Sequence, residues 1–329
     1  MANSTDWQIA PLDSVGLNAT TLAAAGETLG RPQSNARAFV VIRRGRLVWE
    51  QYYHGSTAQD RHHLFSVTKS VTSALIGIAL DAGALHSVDQ PVIDFFPECA
   101  LSPADPWRLL TLRHLLSMTT GLVWPSRSWG GEPLVERMRR SPDWAKFILS
   151  VPVRREKIGT FNYASAASHL LSVILTRATG LSACDYARQH LFIPLGISNI
   201  VSGSDWEVDP QHNSTGGWGL HLSARELARF GWLYLCQGRW QERTLLPASW
   251  VQSSTQLPTG VINGYGYQWW LRQIALEPAF AGMGLGGQYL FCVPSRELVV
   301  VILSHYIHHW PDRWEVLREL LQSHNKTLQ

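Results

Sequence analysis

Ser66-Val67-Thr68-Lys69 sets a hydroxyl and an amine three residues apart, which on a helix places them on adjacent turns of one face. That pairing is a nucleophile with a general base beside it. The largely apolar run from Val67 to Leu80 reads as a buried helix with Ser66 at its first turn, among the unpaired N–H groups of the helix's positive end. A second reactive side chain, Tyr163, stands in Gly159-Thr160-Phe161-Asn162-Tyr163-Ala164-Ser165, just ahead of the apolar stretch His169 to Leu175. A third segment, Gly282-Met283-Gly284-Leu285-Gly286-Gly287-Gln288, satisfies G-x-G-x-x-G in letters only, because it leads into a strand and opens no helix. Its glycines permit close approach of backbone to a ligand along what reads as an edge strand.

The elements that must position these groups fall into a simple order. Ala38–Ile42 and Leu47–Tyr53 read as a hairpin around Arg43-Arg44-Gly45-Arg46, and Gly266–Leu271, Gln288–Val293 and Leu298–Ser304 as further strands, the last central. Between them, Ser66–Ala82, Thr111–Ser117, Pro142–Ser150, Ala164–Thr179, Ala183–Leu191, Ser223–Gln237 and Pro247–Ser253 have helical patterns, and Glu315–Leu321 predicts a C-terminal helix over the sheet. The expected class is α/β (α+β): one antiparallel sheet built from both chain ends and flanked by helices, with a mainly helical insertion. In domain terms, 1–80 and 255–329 form the sheet unit, 81–254 the helical one, and the active site is expected in the cleft between them.

Composition narrows the function classes. The 329 residues can bury a sizeable core, and 45% apolar with 16% charged residues describes a globular chain. A net charge of +3 and scattered basic pairs such as Arg139-Arg140 argue against a nucleic-acid partner. No stretch of 18 uncharged apolar residues is present, so no membrane span is expected. Met1–Asp13 has neither a basic nor an apolar leader region, which predicts a cytoplasmic location. Cys99, Cys184, Cys236 and Cys292 lack C-x-x-C spacing and fit free thiols. His305, His308 and His309 read as a strand-end loop rather than a metal site, His62-His63 as surface or packing rather than ligands, and no metal or cofactor is required. His114 and the run Ser117 to Thr120 are expected to cap a helix behind the site, and the absence of G-x-S-x-G argues against an α/β-hydrolase triad.

Together, the segments Phe65 to Ser70, Leu112 to Leu122, Phe161 to Ser165, His190 to Ile197 and Gly284 to Gln288 resemble the serine β-lactamase and penicillin-binding-protein superfamily. Within it the likeness is to the class C-like hydrolases that include esterases and 6-aminohexanoate-dimer (nylon-oligomer) hydrolases, and it spans roughly Ala38 to Tyr306. The resemblance implies the β-lactamase/transpeptidase fold, acylation of Ser66, and proton transfer through Lys69 and Tyr163. It implies an oxyanion hole made by the backbone N–H groups of Ser66 and Leu285. Ser165 stands where the commoner lactamase motif has asparagine, and Gly282-Met283-Gly284 aligns with the K-T-G strand motif, whose lysine is absent.

Amine and phenol both have reference pKa values near 10, so burial and mutual charge must set which accepts the Ser66 proton, and the pair is expected to titrate as a unit. Trp124, Trp129, Trp218, Trp269 and Trp270 fall near the expected cleft, where aromatic side chains suit an apolar acyl or amide chain. Ser165, Gly284, Gly286, Gln288, Trp218 and Trp124 are the expected supporting or substrate-binding residues. The expected function is hydrolysis of small carboxylic esters or linear amides. A D-amino-acid peptidase or amidase, a β-lactamase, and a non-catalytic binding protein are the alternatives.

Overall fold

A computed structural model describes residues 7–126, 131–256 and 263–325. Its helices are α1 (Ala19–Gly30), α2 (Thr68–Asp81), α3 (Leu112–Leu116), α4 (Pro133–Arg139), α5 (Trp144–Leu149), α6 (Ser165–Thr179), α7 (Ala183–Ala187), α8 (Ala224–Leu235), α9 (Ala248–Thr255) and α10 (Trp314–Asn325). Its strands are β1 (Ala36–Arg43), β2 (Arg46–Tyr52), β3 (His62–His63), β4 (His221–Leu222), β5 (Arg239–Trp240), β6 (Arg243–Thr244), β7 (Asn263–Tyr265), β8 (Trp270–Ile274), β9 (Glu277–Gly284), β10 (Gln288–Val293) and β11 (Leu298–Ser304).

Seven strands form one antiparallel sheet in the order β2-β1-β11-β10-β9-β8-β7. The two ends of the chain meet at its centre, where Val40 pairs with Val301 and Leu290 pairs with Val301 from the other side. Every residue of β11 is buried, and the period of two divides them. Val299, Val301 and Leu303 join the core under the helices, while Leu298, Val300 and Ile302 face α1 and α10. α1 and α10 supply Leu22, Ala25, Leu29, Trp314, Leu317 and Leu320 to that second layer.

α8 falls within the stretch 81–254 yet packs on the sheet, because Gly231 lets it approach. A Cβ there would lie 2.7 Å from Leu290 and 2.8 Å from Val299. Ser223 and Glu226 start α8 with a reciprocal capping box. α2 is buried from Thr68 to Ala79, and Gly77 admits the Trp250 ring to within 2.4 Å of where a Cβ would stand.

The strand order corrects two expectations. β9 is an interior strand between β8 and β10, so the glycine-rich segment is not on a sheet edge. β9 also escapes sequence patterning, since Pro278, Gly282 and Gly284 are poor strand residues that only pairing on both sides holds extended. The strand expected at Gly266–Leu271 lies later, at Trp270–Ile274, because the Gly266 N–H closes a turn onto the Trp269 carbonyl at 2.9 Å. No helix among the described residues is long and apolar enough to cross a membrane.

Candidate active site

Ser66 sits in a one-turn 3-10 helix, Phe65–Val67, that runs directly into α2. Phe65 enters the turn at φ 47°, a left-handed conformation that a bulky L-residue adopts only when its surroundings impose it. Three contacts do so. The Leu64 N–H donates to the Leu220 carbonyl at 2.8 Å, the Phe65 N–H donates to His63 Nδ1 at 2.9 Å, and the Val67 N–H returns to the Leu64 carbonyl at 3.1 Å. His63 therefore serves the Ser66 turn through its backbone, and its other nitrogen meets Glu207 at 3.3 Å.

One turn on, Lys69 is 1% exposed and its Nζ has three oxygen neighbours: Ser66 Oγ at 2.9 Å, Ser165 Oγ at 2.9 Å and the Gly217 carbonyl at 2.8 Å. Burial pulls this ammonium down from an ordinary 10.5 to about 8, with the negative charge of Glu132 pulling the other way. Nζ also lies 4.9 Å from the centroid of the Tyr163 ring. Burial, first, and then Glu132 push the Tyr163 phenol well above its usual range, against the opposing effect of the hydrogen bond it shares with Ser66. Of the two groups, only Lys69 is brought toward neutral pH.

α6 positions the third wall. Ala164, its N-cap, offers no side-chain acceptor, and the helix end is capped from elsewhere. Glu132, at the start of α4, accepts the Ser165 N–H at 2.6 Å through Oε1 and the Ser165 hydroxyl through Oε2. The same Oε1 accepts the indole N–H of Trp124 at 2.6 Å. Glu132 and the Gly217 carbonyl are polar groups beside Lys69 and Ser165 that sequence reasoning missed. The signal for the second is the pair Gly216-Gly217, since a Cβ on Gly216 would lie 1.9 Å from the Ser168 carbonyl.

β9 closes the fourth side. A Cβ on Gly284 would stand 2.3 Å from the Leu64 carbonyl, so the strand can lie against the Ser66 turn only as glycine. The Gly284 carbonyl accepts the Gly287 N–H at 3.2 Å, which fixes the plane of the next peptide and turns the Leu285 N–H to the opposite side. Buried Gln288 braces this loop, donating to the Ser304 carbonyl at 2.8 Å and the Leu285 carbonyl at 3.4 Å while accepting the Ser304 N–H at 2.9 Å. Asn35 holds the Gly286 carbonyl at 2.6 Å, and Gly286 itself has φ 80° with the Tyr306 backbone 2.9 Å from where a Cβ would be. Gly282, at the position of the missing K-T-G lysine, faces Val67 and Ser70.

The tryptophans divide. Trp270 stacks on Tyr163 with centroids 5.8 Å apart, at the site. Trp269 is fully buried against Phe230, Tyr234 and Phe280 and belongs to the core. Trp124 and Trp218 are buried supports whose N–H groups donate to Glu132 and Glu207. Trp129 lies outside the described residues. Arg272 places its guanidinium over Trp314, 4.6 Å from the ring centroid, on the α10 side of the sheet. His114 completes the cap of α3 with Thr111.

The Beta-lactamase family profile matches residues 27–321. A 6-aminohexanoate-dimer hydrolase of Paenarthrobacter ureafaciens is 28% identical over 302 residues, spanning 84% of this chain and 73% of its own. In fold, the chain is similar to a Bacillus anthracis protein assigned as a 6-aminohexanoate-dimer hydrolase, with TM-score 0.76 and 19% identity over 98% of this chain and 87% of that one. It is similar also to a class C β-lactamase from Rhodobacter sphaeroides, with TM-score 0.70 and 18% identity over 94% and 99% of the two chains. With a profile match running from α1 into α10, and with both chain ends building the sheet, the chain belongs to the Beta-lactamase family of serine hydrolases.

Proposed function

We propose that this protein hydrolyses carboxylic esters and linear amides through an acyl-enzyme on Ser66. The observation that carries the reading is the buried Lys69 amine 2.9 Å from the Ser66 hydroxyl, with its pKa drawn down to about 8. At that value a useful fraction is the free amine near neutral pH, able to take the Ser66 proton as Oγ attacks the carbonyl carbon. The N–H groups of Ser66 and Leu285 then hold the tetrahedral oxyanion. Tyr163, which keeps its proton, gives it to the departing alkoxide or amine and recovers one from the Lys69 ammonium. In the second half water attacks the acyl carbon as Lys69 takes one of its protons, and that proton goes to Ser66 Oγ as the acyl C–O bond breaks and the acid leaves.

Substrate class is set by the side chains that rim the cleft. Phe161 is 45% exposed and packs on Tyr265 and on Trp270, which stacks on Tyr163, whereas Tyr306, 43% exposed, packs on Phe65, the residue before Ser66. Exposed aromatic rings beside both reactive segments suit an uncharged acyl or alkyl chain. Glycine at position 282 supplies no cation for a substrate carboxylate, a charge-assisted contact typically worth about 1.5–3 kcal/mol. The similarity to a hydrolase named for the 6-aminohexanoate dimer supports linear amides as a second substrate group.

The test compares kcat/KM for p-nitrophenyl butyrate, a linear anilide and nitrocefin on one preparation. Ester turnover is expected to exceed nitrocefin turnover, and a fluorophosphonate is expected to label Ser66 and to leave Ser66→Ala unlabelled. Nitrocefin hydrolysis as fast as ester hydrolysis would overturn the substrate reading. Full activity in Ser66→Ala would overturn the mechanism.

A further inference from the structure

Lys69 as a free amine has two N–H groups and one lone pair, but three oxygen neighbours. The Gly217 carbonyl can only accept, so one N–H is committed to it. Ser165 could in principle either donate to Nζ or accept from it. Its hydroxyl hydrogen, however, is committed to Glu132 Oε2, because a carboxylate has acceptors only. Ser165 Oγ must then accept the second N–H of Lys69. What is left is the lone pair, and the remaining neighbour is Ser66 Oγ.

From this count we infer that Glu132 is a positioning residue for the hydrolase reaction: by fixing which way the Ser165 hydroxyl points, it aims the Lys69 lone pair at the nucleophile. The inference rests on the proposed role of Ser66 and Lys69. In the acylation step the Ser66 O–H bond breaks, its proton forms a bond with the Lys69 lone pair, and the Oγ electrons form the bond to the carbonyl carbon. Glu132 itself exchanges nothing. It acts 33 residues upstream of Ser165, and it is held in turn by the Trp124 indole and the Ser165 N–H, both obligate donors to Oε1. That double commitment fixes which carboxylate oxygen faces the hydroxyl.

Glu132→Gln tests the idea with almost no change of shape. The amide oxygen must occupy the Oε1 place to serve the two N–H donors, so the amide NH2 faces Ser165. Ser165 Oγ then accepts from it and turns its own hydrogen to Lys69, whose lone pair is drawn away from Ser66. Electrostatics by itself argues the reverse outcome. Glu132 raises the Lys69 pKa, and removing its charge would leave more free amine at pH 7 and an acid limb displaced to lower pH. The other titratable groups facing the pair are Tyr163 and, behind it, Tyr265, both of which Glu132 also raises; losing its charge relaxes them downward while burial, the larger cause, still holds them above the ordinary phenol, and β9 brings glycine 282 to this side of α2.

The experiment is the pH profile of p-nitrophenyl butyrate kcat/KM for wild type, Glu132→Gln, Glu132→Asp, Ser165→Ala and the double variant Glu132→Gln/Ser165→Ala, with urea midpoints as a check on folding. The expected result is a plateau lowered in Glu132→Gln by about 10- to 100-fold, less than the roughly 10²–10⁴ that loss of a general base costs, because the amine is misaimed and not removed. Partial recovery is expected in Glu132→Asp, which keeps an acceptor-only group. Adding Glu132→Gln to Ser165→Ala is expected to cost less than about threefold, because no hydroxyl is left to turn. A Glu132→Gln enzyme with wild-type or raised activity at pH 7, or a loss of the same size with and without Ser165, would overturn the inference. Neither outcome would touch the role of Ser66, which is read separately from activity and labelling in Ser66→Ala.

Discussion

An ammonium buried to 1% exposure is a cost that folding must carry, and Lys69 shows it as a pKa of about 8 against an ordinary 10.5. The sign of that shift sets two expectations. In the mechanism proposed above activity needs the free amine, so kcat/KM is expected to rise with pH and level off above about pH 8. Stability moves in the same direction: between the folded value and the unfolded one the unfolded chain binds more protons, so unfolding free energy increases as pH rises from about 8 toward 10.5. The full window is worth on the order of 3 kcal/mol. Tyrosines raised by burial, Tyr163 and Tyr265 among them, work the other way above about pH 10, because their folded pKa exceeds the unfolded one and stability falls as they ionise. Subtracting the profile of Lys69→Met isolates the lysine's share, and a difference that is flat from about pH 8 to 10 would contradict it. At this scale Ser66 and Lys69 are legible in the sequence because three residues of spacing make a helical face, and Tyr163 because it opens an apolar helix. Glu132 and Gly217 come from irregular segments with no period to betray them. Only the fold brings them to Nζ.

At the scale of elements, the site is the place where α2, α6 and β9 converge, and Gln268 ties α2 and α6 to α3. Buried at 2% exposure, it accepts the Ser168 hydroxyl at 2.6 Å from α6 and donates to the Leu115 and Leu116 carbonyls of α3, while its own carbonyl accepts the Ser70 hydroxyl from α2. Gln268→Leu would strand the buried Ser168 hydroxyl at about 1–3 kcal/mol, and would take one hydrogen bond of about 0.5–1.5 kcal/mol from each of the Leu115 and Leu116 carbonyls, which keep the backbone N–H groups of Met118 and Gln268. The expected result is a loss of several kcal/mol in chemical unfolding together with lowered kcat, and a change under about 1 kcal/mol would show that these helices hold one another without it. The larger helices and the strands β1, β2, β10 and β11 can be read from the chain, since their apolar residues recur at helical or strand periods. α1, rich in alanine and threonine, and α4, polar and short, carry no such signal, and neither does β9. Gln268 itself, in a left-handed turn at φ 66°, reads as an ordinary polar linker residue.

For the whole molecule, the seam between β1 and β11 joins residues more than 250 positions apart along the chain. Deleting β11 and α10 would leave β1 and β10 each with one unpaired edge and would divide the core that faces α1 from its second wall. A chain ending at Arg296 is expected to show no cooperative unfolding transition and to be cut readily by protease, and a retained transition would mean that the N-terminal hairpin and the helices fold without the seam. There is also a consequence in time. At a synthesis rate of roughly 5–20 residues per second, the hairpin leaves the ribosome some tens of seconds before its partner strand is made. Through that interval Phe39-Val40-Val41-Ile42 presents an open, strongly apolar edge to any other chain nearby. A cell that makes this hydrolase must shelter its first strand until its last one arrives.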